Sequence, residues 1–170
     1  RLYDGDCRYC HILNEEGQII DDTIVYTFGN EDYMLVPNAS MVGKIFDWLN
    51  LQSVDFEVSI SNKSEDFFCF AVQGPQALRL LRQYFNLSIS PFKLVKSGNI
   101  IISGTGYTGE KGYEIMGPLS ESLEIWESFL EMGALPIGLG ARDTLRLEKG
   151  YLLSGTDFNG TQTTLESGYS

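Results

Sequence analysis

The sequence predicts an α+β protein of antiparallel sheets with helices packed on them, and three observations carry that prediction. Short alternating apolar stretches are separated by turn-forming Asn, Gly, Asp and Pro; between them lie segments with apolar residues at helical spacing; and the strands come in consecutive groups before each helix. The 170 residues suffice for one ordinary domain or two small interlocked ones. A hydrophobic content of 43% with 12% aromatic residues supplies a core and argues against a disordered chain.

Taken in order, alternation over Tyr9–Leu13 predicts a strand, and Asn14-Glu15-Glu16-Gly17 is turn chemistry. A second strand is expected over Ile19–Phe28 and a third over Tyr33–Val36, ending at Pro37-Asn38. From Ser40 the pattern turns helical, with Val42, Ile45, Phe46 and Leu49 on one face. This β-β-β-α run then recurs in outline. Strands at Asp55–Ser61 and Phe67–Val72 lead through Gly74-Pro75 to a helix over Gln76–Phe85. Strands near Phe92–Val95 and Asn99–Ser103 precede a Gly-rich turn and a strand at Gly112–Met116. Ser120 is placed to cap a helix carrying Leu123, Ile125, Trp126 and Leu130. A last helix, Gly138–Lys149, stops at Gly150. The best single break falls near Leu51–Ser53, giving two β-β-β-α-like subdomains over residues 1–52 and 53–170. The Gly/Ser/Thr-rich stretch from Ser154 to Ser170 is expected to be a connection to a further segment, and the start at Arg1 to be an internal point of a longer chain.

A formal net charge of −11 makes nucleic acid and anionic membrane surfaces poor partners. No apolar run approaches the roughly 20 residues of a spanning helix. Cys7-Arg8-Tyr9-Cys10-His11 reads C-x-x-C-H, the attachment string of c-type haem. Yet His11 is the only histidine, and on a strand two sulfurs three positions apart point to opposite faces. No metal is therefore expected, and the cysteines read as thiols of a reducing compartment.

Three segments could carry chemistry. Asp21-Asp22 lies within an apolar strand, so one carboxylate is expected to face solvent and the other a cleft or core, where it must be paired or shifted in pKa; the bland alternative is a strand starting at Thr23 with both acids in water. Gly104 to Gly112 carries four glycines in nine residues, which lets backbone approach a ligand, although a ligand-free hairpin loop has the same composition. It is not a phosphate loop, because the glycine-lysine order is absent and a strand follows. Along Gly138–Glu148, Leu145 and Leu147 lie about 200° apart, so neither helix face is purely solvent. Arg142 and Arg146 share a face, and a guanidinium there needs either an internal carboxylate or a ligand. There is no Ser-His-Asp set and no dinucleotide fingerprint.

Five blocks of this sequence, Asn14–Tyr26, Val36–Ser40, Gln73–Ala77, Tyr107–Ile115 and Gly138–Glu148, resemble the glycine cleavage T-protein (aminomethyltransferase) family. Asn14–Tyr26 is similar to N-E-x-G-G-I-x-D-D-L-I-V-Y, Val36–Ser40 to V-x-N-A-x, and Gln73–Ala77 to Q-G-P-x-A. Tyr107–Ile115 resembles Y-T-G-E-D-G-x-E-I, and Gly138–Glu148 resembles G-L-G-A-R-D-x-L-R-L-E. The blocks keep the family's order across nearly the whole chain. The resemblance implies the aminomethyltransferase folate-binding fold and transfer of a one-carbon unit from the aminomethyl-lipoyl group of the H-protein to tetrahydrofolate, with release of ammonia. It places the catalytic aspartate at Asp22 and the pterin-edge acceptor at Glu114. Further folate contacts would fall at Arg142, and an aromatic and polar lining at Tyr9, Asn38, Tyr107 and Tyr151. Tetrahydrofolate and the lipoylated H-protein are the implied partners, in the cytoplasm of a bacterium or archaeon or in a mitochondrial matrix.

Gln18, Pro37 and Lys111 depart from the family's blocks but leave the three charged positions intact. Family members also carry a segment before Arg1 and a C-terminal barrel domain after Ser170, so this chain would be a central fragment, inactive alone. The same scaffold serves tetrahydrofolate-dependent demethylases and non-catalytic folate-binding relatives, which remain the alternatives.

Overall fold

The computed structural model describes residues 2–168, which group into two compact units. One unit comprises the residues up to Cys7 with Glu65–Tyr151, the other Arg8–Ser64 with the residues from Leu152 onward. Each unit is thus built from two separate stretches, a different partition from the single cut expected after Gln52. The cut was read from a repeat in the local pattern, whereas the grouping follows which segments pack together.

The unit around Arg8–Ser64 is a three-stranded sheet in the order β1 (Cys7–Leu13), β2 (Ile19–Thr27), β3 (Tyr33–Pro37), backed by helix α1 (Val42–Gln52). Strands β2 and β3 pair antiparallel from Thr23↔Pro37 to Thr27↔Tyr33. Ile12 and Ile20 from the sheet and Ile45 from α1 form the buried core, with Leu35, Met41, Trp48 and Leu49 packed against it. Of the expected helix face, Ile45 and Leu49 pack against the sheet, joined there by Trp48.

The stretch from Ser154 departs from expectation. Instead of running free, residues up to 168 fold back on this unit. The Ile19 N–H donates to the Gln162 carbonyl at 2.8 Å, Gln18 bridges Thr163, and Phe158 is completely buried. Gln18 also accepts a hydrogen bond from the Asn14 side chain at 2.8 Å, so its amide does local work at the turn. The strand expected over Asp55–Ser61 is absent: these residues pair with no strand, and Val54, Phe56 and Val58 are exposed. Alternation alone cannot make a strand where no neighbour supplies the ladder hydrogen bonds.

The unit around Glu65–Tyr151 holds a four-stranded antiparallel sheet in the order β4 (Phe67–Gln73), β7 (Gly112–Pro118), β6 (Ile100–Ser103), β5 (Leu94–Ser97). Helices α2 (Ala77–Phe85) and α3 (Ser122–Glu131) supply Leu80, Leu81, Ile125 and Phe129 to a core shared with Phe68, Ile100, Ile102, Tyr113 and Ile115. Ser120 does not cap α3. A 3-10 turn over Leu119–Glu121 precedes that helix, and no side chain caps its first turn. Helix α4 (Leu139–Lys149) ends as expected, with Gly150 at φ 80° and its N–H reaching the Arg146 and Leu147 carbonyls.

Candidate functional site

Within the three-stranded unit, the β2–β3 register builds a carboxylate cluster. Pro37 lies opposite Thr23, so the next step brings Asn38 beside Asp22. Asn38 precedes a 3-10 turn (Ala39–Met41) but does not cap it with its side chain. Its amide instead donates to Asp21 Oδ1 at 2.8 Å and to Asp22 Oδ1 at 2.7 Å, while its backbone N–H donates to Asp21 Oδ2 at 3.1 Å. The second Asp22 oxygen accepts from the Tyr9 hydroxyl of β1 at 2.9 Å. That hydroxyl also lies 3.0 Å from His11 Nε2. Asp21 is fully buried and Asp22 half-buried. The expected split into one solvent-facing and one inward acid is therefore corrected: one amide gathers both carboxylates.

The electrostatics follow from this packing. Burial raises the Asp22 carboxyl above the usual range, the Asn38 and Tyr9 hydrogen bonds pull it down, Asp21 raises it, and His11 lowers it. Burial pushes His11 below its ordinary value, and the Asp22 charge opposes that. The carboxyl thus ionises reluctantly while two donors hold its oxygens in place.

Within the four-stranded unit, Glu114 sits on the inner strand β7, opposite Ala71 on one side and Ser103 on the other. Thr105 Oγ1 donates to Glu114 Oε2 at 2.5 Å, and Ser103 Oγ lies 2.6 Å from Thr105 Oγ1. Ser103 and Thr105 are buried, Glu114 only half so, which leaves carboxylate capacity for an incoming donor. The Gly-rich turn is fastened by Gln73. Its amide donates to the Thr105 and Tyr113 carbonyls at 3.2 and 3.1 Å, and its Oε1 accepts from Thr108 at 2.9 Å. A Cβ at Gly104 would come within 2.2 Å of the Ser90 carbonyl oxygen, so no larger residue fits there.

The turn presents Tyr107 to helix α4. The Arg142 guanidinium lies 4.5 Å from the Tyr107 ring centroid, and Tyr151 stacks on Tyr107 at 5.9 Å with 26° between planes. Arg142 is exposed. Among the described residues its contact is with an aromatic face, not with the internal carboxylate weighed from sequence. The inward guanidinium is Arg146, 5% exposed, bonded to Asp143 at 2.7 Å and to the Tyr151 carbonyl at 3.0 Å. It fixes the backbone from which the Tyr151 ring projects. Sequence reasoning missed this role, as it missed Gln73, Thr105 and the contact of His11 with Tyr9. Arg146 shares the helical face of Arg142, so periodicity could not say which of the two points inward.

Cys7, Cys10 and Cys69 are free thiols. Burial and the neighbouring Asp6 push Cys7 up to about 12, and burial also raises Cys10, so neither is a ready thiolate. No group of three or more candidate metal ligands occurs among the described residues, and no described helix is long and apolar enough to cross a membrane.

The profile of the GCVT N-terminal domain matches residues 1–170. The chain belongs to the GCVT N-terminal domain family. Similar proteins include an aminomethyltransferase from Staphylococcus haemolyticus, 41% identical over 98% of this chain and 48% of that protein. Another, from Halothermothrix orenii, is 37% identical over 99% of this chain and 50% of that protein. The crystal structure of glycine cleavage system aminomethyltransferase T from Bartonella henselae superposes with a TM-score of 0.88 at 32% identity, covering 96% of this chain and 46% of that one. The chain thus spans about half the length of the curated relatives it matches. Membership in the GCVT family agrees with the antiparallel α+β fold, and the nearby aminomethyltransferases are transferases.

Proposed function

We propose that this chain supplies the folate-binding and catalytic part of an aminomethyltransferase. In the reaction, the carbon–nitrogen bond to ammonia and the carbon–sulfur bond to the lipoyl arm of an H-protein both break. The methylene carbon is bonded to N5 and N10 of tetrahydrofolate, and the two N–H protons leave on ammonia and on the freed thiol. The observation that carries this reading is the half-buried Asp22 carboxylate, aimed by Tyr9 and Asn38 on its two oxygens. Positive charge develops on the methylene carbon and the attacking nitrogen as the carbon–nitrogen bond to ammonia breaks. An anion already fixed and partly desolvated stabilises that charge without reorganising.

Glu114 would accept from the amino and ring N–H donors of the pterin, and its half-buried carboxylate, held by Thr105 on one oxygen, fits that task. The Tyr107, Tyr151 and Arg142 planes offer stacking faces for a flat conjugated ligand and a cation for its carboxylates. Tyr9 and Asn38 complete the proposed contacts. The proposed setting is the bacterial or archaeal cytoplasm, or the mitochondrial matrix in a eukaryote, where an H-protein carrier is the partner.

The test is ammonia release from an aminomethylated H-protein by the full-length protein. Release that requires tetrahydrofolate and yields methylenetetrahydrofolate supports the reading. Folate binding without release, given a competent carrier, would count against it and favour a binding relative or a demethylase.

A further inference from the structure

His11 is the only histidine of the chain and takes no part in the reading above. Its ring meets Tyr9 edge-on at 5.3 Å and Phe158 at 6.3 Å, and its Nε2 lies 3.0 Å from the Tyr9 hydroxyl. The same hydroxyl lies 2.9 Å from Asp22 Oδ2. A phenol has one proton to give. If Tyr9 donates to Asp22, Nε2 must carry the proton that Tyr9 oxygen accepts; if Nε2 is bare, Tyr9 turns to it and Asp22 loses a donor.

We propose that His11 is a positioning residue for Asp22: in its Nε2–H form it donates to the Tyr9 oxygen and so commits the Tyr9 proton to the carboxylate. This rests on the reading of Asp22 as the catalytic acid, although the direction of the hydrogen bonds does not. Protonation of His11 keeps Nε2–H in place, so the arrangement survives on the acid side, and the imidazolium then adds its charge to the support of Asp22. The other titratable groups acting on the cluster are Asp21, which raises the Asp22 pKa, and Cys10, which feels the Asp22 charge. Neither supplies a donor to Asp22 Oδ2 in place of Tyr9. A glutamine amide at position 11 can supply an N–H in place of Nε2–H, whereas phenylalanine keeps only the ring packing.

The experiment has two arms on the full-length protein. Nitrogen NMR of the His11 ring, assigned by its loss in His11→Gln, reads the tautomer near neutral pH. Nε2–H is expected, and Nδ1–H would overturn the proposal whatever Asp22 does. Carboxyl-carbon NMR of Asp22, with kcat against pH, is then compared in His11→Phe and His11→Gln. The expected result is an upward move of the Asp22 midpoint and of the acid limb of kcat in His11→Phe. With it should come a fall in kcat of roughly tenfold, an unchanged KM for folate, and recovery in His11→Gln. An unmoved Asp22 midpoint in His11→Phe would overturn the proposal. If Asp22→Asn left turnover intact, the catalytic reading would fall instead, and the Asp22 midpoint would still decide whether His11 positions it.

Discussion

The carboxylate cluster of the three-stranded unit and the aromatic stack of the four-stranded unit hold their side chains by different means. Asp22 is fixed by two short hydrogen bonds from groups that are themselves engaged, Asn38 with Asp21 and Tyr9 with His11. Bonds to a charged group contribute about 1.5–3 kcal/mol each, enough to set the carboxylate before any ligand arrives. Arg142, Tyr107 and Tyr151 meet through faces, where an exposed cation–π contact is worth about 0.5–1 kcal/mol. Such a group can part and close on a flat molecule at little cost. The difference teaches that preorganisation is concentrated in the carboxylate cluster, and looser, face-to-face contact in the aromatic stack.

The sharpest way to break that contrast is Asp22→Asn in the full-length protein. Turnover should fall by roughly 10²–10³-fold, the range for removal of a preorganised electrostatic group, while folate affinity changes much less. Steady-state kinetics checks both, and an unchanged kcat would remove Asp22 from the chemistry. Glu114→Ala should act on the other property, weakening folate binding by about 1.5–3 kcal/mol, as loss of a charged hydrogen bond does. Titration calorimetry reads it directly.

The two arginines of α4 sharpen the comparison within one helix. Arg146→Ala strips the Tyr151 carbonyl of a donor and should lower stability by about 1–3 kcal/mol in urea unfolding. Arg142→Ala, on an exposed side chain, should cost under about 1 kcal/mol of stability and show itself in ligand affinity instead.

The pH dependence of stability tests the cluster's burial. His11 has a folded pKa below its ordinary value of 6.5. The unfolded chain therefore binds the proton first, and stability supplied by neutral His11 is present above pH 6.5 and lost as pH falls through the folded value. Asp22, raised on folding, acts with the same slope sign at no pH: its contribution declines as pH rises from the unfolded to the folded value. Comparing unfolding free energies of the parent and His11→Gln from pH 7 downward should isolate the histidine's part, with the variant showing the shallower acid decline. The smallest effect is expected at Tyr113, whose hydroxyl is buried with no partner among the described residues. Tyr113→Phe should leave stability unchanged or raise it by up to about 1 kcal/mol, as thermal unfolding would show.

Much of the fold was legible because local pattern and tertiary packing agree. Turn residues at Asn14–Gly17, the apolar run of β2 and the Gly150 stop were read as elements that the structure contains. The strand expected at Asp55–Ser61 failed because a strand is a pairing, and pairing partners are not written in local alternation. The docking of residues near Phe158 was illegible for the same reason: Gly, Ser and Thr look like linker wherever their few apolar neighbours pack. At the candidate site, Asp22, Tyr9 and Asn38 were named through the resemblance, and spacing alone had suggested only that one acid of the pair was sheltered. What spacing could not give was the convergence of both acids on Asn38, because that depends on the β2–β3 register. Nor could it choose between Arg142 and Arg146, which differ in orientation and not in period.

The central claim, that one cluster serves chemistry and the other binding, is tested most directly by a single calorimetric series. Tetrahydrofolate would be titrated into the full-length parent, Asp22→Asn and Glu114→Gln. The account predicts a Kd near the parent's for Asp22→Asn and a Kd raised roughly tenfold or more for Glu114→Gln. The reverse order, with Asp22→Asn abolishing binding and Glu114→Gln leaving it untouched, would contradict the account.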